Sequence, residues 1–305
     1  MEYPTDGILL IDKDEGETSY SVVRKVKLSI AAKKVGHAGT LDPFATGLLI
    51  ILIGQGTKLS NYIMSEDKVY FATLRLGVET DTLDSTGRVL RISSVPDLSP
   101  ESIQEKTRGF VGNIEQTPPV YSAVKYKGTR AYKLARRGIK ITLKKRKVIV
   151  YSLRILSVSL PDIIMEIVCS SGTYIRSLGA DLGTELGPGG HLVTLRRLAG
   201  GFFNVKDALS SNEILDEGKR KQLQKKIIPL KNAIPGMREI DVQENMADKV
   251  RHGNQPKWKE LGSNFAGNKN EYVKLVKGSE LVAIVKTKKN GRGDNGKIKI
   301  ERVFY

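Results

Sequence analysis

Residues 36–54 read GHAGTLDPFATGLLIILIG, and the path of the backbone through them decides the architecture. Asp42 stands before Pro43, whose ring pushes the preceding residue out of helical geometry. Gly36 and Gly39 let the backbone turn tightly or approach a ligand closely. The run Leu48-Leu49-Ile50-Ile51-Leu52-Ile53, flanked by Gly47 and Gly54, reads as a core strand or a short buried helix. One carboxylate is thus delivered on a stiff, kinked loop braced against the core.

Working outward, 305 residues can bury a proper core and suggest one large domain plus a small one. A hydrophobic content of 40% with 27% charged residues is ordinary for a soluble globular chain. No apolar stretch reaches the roughly 18 residues that a membrane helix needs. Residues 1–6 lack the basic and apolar regions of a signal peptide. Cys169 is the single cysteine and cannot form an internal disulfide, which fits a reducing compartment. With only three histidines beside it, a Cys/His zinc site is not expected. The net charge of +17 is the largest departure from average, and it attracts polyanions.

That charge is uneven. From Gln116 to Pro161 there is no acidic residue. Lys125, Lys127, Arg130, Arg136, Lys144 and Arg146 fall in this stretch, with Tyr121, Tyr126 and Tyr132 interleaved. Cations for phosphates and aromatics for stacking are what a nucleic-acid surface needs. Solvated charged faces normally mix signs. Pro118 and Pro119 mark its start as an irregular excursion.

Elsewhere the patterns are conventional. Residues 7–12 read as a strand, and Thr18-Ser19 offers an N-cap before Val22, Val23 and Val26 at helical spacing. Residues 68–77 alternate as a strand, 98–111 read as a helix, and 148–160 and 163–170 as two strands. Gly172 is expected to open a helix whose first turns carry Tyr174 and Arg176. Asp81 and Asp84 lack the full calcium-loop pattern and read as turn caps. Residues 217–226 read as a charged helix and 227–235 as a linker. Beyond it come a short helix at 242–252 and three strands at 272–276, 281–287 and 297–304. Residues 290–296 read as a glycine-rich hairpin tip.

No serine lies on a nucleophile-elbow pattern, and the phosphate-binding loop Gly-x-x-x-x-Gly-Lys-Ser/Thr is absent. What remains is an enzyme with one carboxylate, basic RNA contacts and no cofactor. Asp42 would be ionised at neutral pH. Buried, it needs a partner, and Arg176 is a candidate.

These stretches closely resemble the TruB family of tRNA pseudouridine synthases. The resemblance rests on GHAGTLDPFATGLL, LLIDKDEGETS, KVYFATLRLGVETDTLD, PPVYSAVKYKGTRAYKLARRG, CSSGTYIRSLGADLG and GGHLVTLRR, and spans residues 5–235. The last seventy residues resemble, more weakly, a small PUA-like RNA-binding domain. The resemblance implies an α+β catalytic domain over 1–235 with a mixed, largely antiparallel sheet. A basic thumb would be inserted at about 117–147, and a PUA-like domain would occupy 236–305. It implies isomerisation of uridine 55 in the TΨC loop of tRNA after base flipping, with no cofactor and no metal. Asp42 matches the nucleophile; whether it attacks sugar or base, or assists elimination, stays open. Tyr70 matches the tyrosine that stacks on the target base, and Arg176 the partner of the aspartate. Tyr174, Leu195 and Lys13 match further active-site positions, and His37 the histidine that holds flipped-out nucleotides.

Departures are Asp14 in place of a proline after Lys13, Ser171 in place of a common lysine, and Leu198–Phe202 where the family is richer in arginine. They bear on RNA contacts, not on the reaction. A cytoplasmic monomer without an obligate protein partner or membrane is expected, with tRNA as its partner. The rivals are a guide-RNA-dependent relative and a non-catalytic tRNA-binding or folding protein.

Overall fold

The apolar run is a strand, β3, Thr46–Ile53. Leu49, Ile51 and Ile53 face one apolar layer, while Leu48, Ile50 and Leu52 face another. A strand covered on both sides needs no polar alternation, so periodicity could not separate it from a buried helix. The computed structural model describes residues 5–216, 218, 220–261, 270–288 and 297–305. The 290–296 tip, Glu217 and most of the 1–6 segment therefore lie outside the described residues.

Ten strands form the main sheet. In chain order they are β1 Gly7–Lys13, β2 Val35–His37, β3, β4 Lys68–Leu76 and β5 Gly112–Gln116, then β6 Arg146–Ser159, β7 Asp162–Cys169, β8 Gly190–Gly200, β9 Phe203–Asn204 and β10 Leu209–Ser210. The order is β10-β1-β3-β8-β4-β7-β6-β5, with β2 on β3 and β9 on β8. Neighbours run antiparallel except β1 with β10 and β3 with β8. This is the mixed, largely antiparallel sheet expected.

Helix α1, Ser19–Ser29, is capped by Thr18, whose hydroxyl accepts from the Ser21 N–H at 3.0 Å. Helix α2, Pro100–Thr107, is shorter than the 98–111 expected. A tight turn at Arg108–Phe110 follows, and Gly112 at φ 101° then starts β5. Helix α3, Ile175–Leu186, corrects a second expectation, because it begins three residues after Gly172. Gly172 sits at φ 83° in the preceding turn. The Gln116 amide then holds Tyr174 outside the helix, accepting from its N–H at 2.8 Å and donating to its carbonyl at 2.9 Å. Val22, Val23 and Val26 of α1, with Ile175, Leu178 and Leu182 of α3, pack on the main sheet.

The C-terminal part has its own four-stranded sheet, in the order β11 Glu239–Asp241, β12 Tyr272–Lys277, β13 Glu280–Lys288, β14 Lys297–Val303. Strand β11 was not expected; at three residues, parallel to β12, it carries too few side chains for a pattern. Helix α4, Glu244–Arg251, covers this sheet and brings Ala247 and Val250 to its core. The two sheets share one apolar layer, which holds Val276, Leu281, Ile284 and Phe304 of the C-terminal part together with Leu48, Ile50 and Leu52 of β3.

Candidate active site

The loop between β2 and β3 is held by the end of β1, the turn after it and the first residue of α1. The buried Ser19 hydroxyl accepts from the Leu41 N–H at 2.9 Å and donates to the Leu41 carbonyl at 3.1 Å. On the other side of Asp42, the Pro43 carbonyl accepts from the Gly16 N–H at 2.8 Å and from Lys13 Nζ at 3.3 Å. Lys13 also donates to the carbonyls of Asp14 and Glu17, each at 2.8 Å. It is 0% exposed, and burial brings its ammonium down to about 8 against the pull of the neighbouring carboxylates. Downstream, Gly47 adopts φ 98° where β3 meets β8, and a methyl group there would strike the Arg197 carbonyl. Asp42 is therefore clamped on both flanks. Ser19→Ala leaves both Leu41 backbone groups without this partner. It should cost about 1–3 kcal/mol in urea denaturation; an unchanged midpoint would show that the clamp does not hold the loop.

Asp42 meets Arg176 through two parallel bonds, Nε to Oδ2 at 2.8 Å and Nη2 to Oδ1 at 3.0 Å. Arg176 also donates to the carbonyls of Thr82 at 2.7 Å and Tyr121 at 2.9 Å, and lies 3.3 Å from Asp84. A guanidinium has five N–H donors, and this arrangement occupies its whole perimeter. The Arg176 side chain is 4% exposed, but that of Asp42 keeps 34% of its surface open to a cavity. Burial raises the Asp42 carboxyl above its ordinary range; Arg176 pulls it back and Asp84 pushes it further up. Asp84 itself accepts from Thr82 Oγ1 at 2.7 Å, Thr86 Oγ1 at 2.6 Å and the Thr86 N–H at 3.0 Å, so it holds its own turn and braces Arg176.

The cavity brings together Asp42, Tyr70, Tyr174, Arg176 and Leu195. Tyr70 is buried on β4, and burial raises its phenol above the usual value, so it is neutral at pH 7. The Arg146 guanidinium lies over the Tyr174 ring, 5.4 Å from its centroid, on the same wall. Lys13 and His37 are not in this wall. Lys13 lies beneath the loop. His37 is on β2, where burial and Arg197 lower its pKa, and its Nδ1 is buried without a hydrogen-bond partner among the described residues. Lys125, Lys127, Arg130, Arg136 and Lys144 also lie outside the wall, on the basic excursion beside it. There Lys125–Tyr126 pairs with Thr129–Arg130, and Lys127 and Arg136 stand over Tyr126 and Tyr132 at 5.7 and 5.6 Å.

Among the wall residues that the sequence does not single out are Lys68, Ser122 and Arg197. Two were accessible by strand period. Lys68 shares a face with Tyr70, and Arg197 with Leu195; Arg197 also stands opposite Tyr70 in the β4–β8 register. Arg197 donates to the carbonyls of Leu48 at 2.6 Å and Gly39 at 3.2 Å. Lys68 donates to the carbonyls of Met64, at 2.6 Å, and Glu66, and burial brings it down to about 8. Ser122 has no periodic signal, because it comes from irregular backbone.

A cavity with one oriented carboxylate, a neutral buried phenol, a second aromatic and a ring of cations suits a flat substrate that carries anionic groups. Comparisons with known proteins narrow that class. Residues 26–175 match the family model "TruB family pseudouridylate synthase (N terminal domain)", and residues 176–234 match "tRNA pseudouridylate synthase B C-terminal domain". A tRNA pseudouridine synthase B from Clostridium kluyveri is 45% identical over 81% of this chain and 84% of its own. One from Clostridium tetani is 36% identical over 94% of this chain and 97% of its own. Among solved structures, a Cbf5-Nop10-Gar1 complex gives a TM-score of 0.76 at 24% identity, covering 99% of this chain and 85% of that one. An H/ACA RNP bound to a substrate RNA containing 2'-deoxyuridine gives 0.74 at 22%, covering 98% and 85%. At these identities the structures speak for the fold alone.

Proposed function

Because the chain belongs to the TruB family of pseudouridylate synthases, we propose that it isomerises uridine 55 in the TΨC loop of tRNA to pseudouridine, with Asp42 as the nucleophile. The observation that carries this reading is the fork between Asp42 and Arg176 in a wall shared with Tyr70, Tyr174 and Leu195. The reaction breaks the bond from C1′ to N1 of the base and makes one from C1′ to C5. C5 loses a proton and N1 gains one, so nothing is oxidised and no group departs. The chain's part is to admit a base that has left its stack, hold it against Tyr70, and present an ionised carboxylate. Arg176 keeps that carboxylate charged and aimed. Attack on sugar, attack on base and assisted elimination would all use this one group.

Under the same reading, residues 1–235 are the catalytic domain, with the 117–147 excursion as its RNA-gripping thumb, and 236–305 are a PUA-like RNA-binding domain. The enzyme is a cytoplasmic monomer that needs no cofactor and no protein partner. It is tested with a bare T-stem-loop transcript and no guide RNA, by mass spectrometry of the product. Product at the position of uridine 55 supports the stand-alone enzyme. Binding without product would favour a non-catalytic RNA-binding protein, and product only with a guide RNA the guided relative.

Lys144, Lys145, Arg146 and Lys147 make the densest cationic run of the thumb. Changing all four to Gln should weaken RNA binding and flatten its salt dependence, by about 0.7–0.9 in log–log slope for each phosphate no longer neutralised. Filter binding across a salt series reads this. An unchanged slope would mean that the run does not meet phosphates.

A further inference from the structure

The wall around Asp42 is saturated with hydrogen bonds, with one buried exception. Arg176 spends its donors on Asp42, Asp84, Thr82 and Tyr121, Arg197 donates to Leu48 and Gly39, and Thr173 Oγ1 donates to the Ser170 carbonyl at 2.9 Å. Ser122, also in this wall, is 6% exposed, and its Oγ has no hydrogen-bond partner among the described residues. A buried hydroxyl left unpaired is costly and rare in native folds. In the free protein Oγ is shielded from solvent, so it would meet a base by turning about χ1, which the fixed backbone leaves free. Its residue is pinned on one side by Arg176 on the Tyr121 carbonyl, and on the other by the Tyr132 N–H, which donates to the Ser122 carbonyl at 3.1 Å.

We propose that Ser122 is a specificity-determining residue whose hydroxyl hydrogen-bonds a polar edge atom of the pyrimidine that enters the cavity. The inference rests on the reading of this site as a uridine-isomerising one. A pyrimidine in this cavity has broad faces for Tyr70 and Leu195, but its carbonyls and N3–H lose water on entry and need partners. A serine hydroxyl both donates and accepts, so it can serve any of them. Ser122 belongs to the root of the basic excursion. The element that grips the RNA backbone would thus also complete the base pocket.

The test uses the full-length protein, Ser122→Ala, and RNA stem-loops that carry uridine, 2-thiouridine, 4-thiouridine or 2′-deoxyuridine at the target. Removing a hydroxyl that is unpaired in the free protein should leave Tm unchanged or raise it. kcat/KM on the uridine substrate should fall about 10- to 100-fold. The wild type should discriminate against one thiouridine, because sulfur accepts hydrogen bonds weakly, and that discrimination should shrink in Ser122→Ala. Its preference over 2′-deoxyuridine should stay. A lowered Tm, an unchanged kcat/KM, or loss of the 2′-deoxy discrimination instead of the thio one would each overturn the proposal. The wild type with the uridine substrate separates the two levels. If it makes no pseudouridine, the functional reading falls and this inference with it; if it does, the three outcomes above bear on Ser122 alone.

Discussion

Asp42→Asn should abolish pseudouridine formation, by a factor on the order of 10⁴ or more in single turnover, while RNA binding stays measurable. The amide keeps the shape of the carboxylate, but it is uncharged and a poor nucleophile. It also offers Arg176 one acceptor where the carboxylate offers two, so the fork closes on one tooth. Substantial product from this variant would remove Asp42 from the chemistry. The pH dependence of the wild type gives a second handle. Burial raises the Asp42 carboxyl above the ordinary aspartate value, so protonation sets in at a higher pH than for an exposed aspartate. The single-turnover rate should fall as pH drops through that raised value, since on the proposed reading only the ionised form acts. An acid limb at or below the usual carboxylate range would contradict the burial of this group.

Arg176→Ala should give the second largest effect, on two readouts at once. It leaves Asp42 and Asp84 facing each other with their shared cation gone. Breaking a buried ion pair from one side costs about 3–5 kcal/mol, a large part of the roughly 5–15 kcal/mol that holds a domain folded. With the cation gone, repulsion from Asp84 is unopposed, so the Asp42 carboxyl rises further and the acid limb moves to higher pH. Arg176→Lys should recover only part of either loss. An ammonium has three donors on one atom and cannot span Asp42, Asp84, Thr82 and Tyr121 together. Urea denaturation and single-turnover rates on the same preparations read both effects. Full stability and rate in Arg176→Ala would show the fork to be incidental.

How much of the site is legible in the sequence differs from residue to residue. Asp42 is placed on a stiff loop by Pro43 and the flanking glycines alone, because those rules act over one or two residues. Its pairing with Arg176, 134 residues away, comes from the need for a partner and from the resemblance; the fold supplies the distance. Lys13 is picked out by the resemblance alone, because its partners are backbone carbonyls, which leave no mark in sequence. The start of α3 departs from its sequence signal because a side chain from β5, Gln116, takes the backbone groups of Tyr174. Ser122 is invisible for a related reason: the fact that matters about it is a partner it does not have among the described residues.

Strand β3 has one further consequence. Its two faces belong to two different cores, and the second of them is continuous with side chains of the C-terminal sheet. Parting the sheets would open that shared layer, at about 1.5–3 kcal/mol for each large side chain bared. A swing between them is therefore expensive. On the proposed reading, an RNA reaching from the Asp42 cavity to the C-terminal sheet would meet two surfaces held at one spacing.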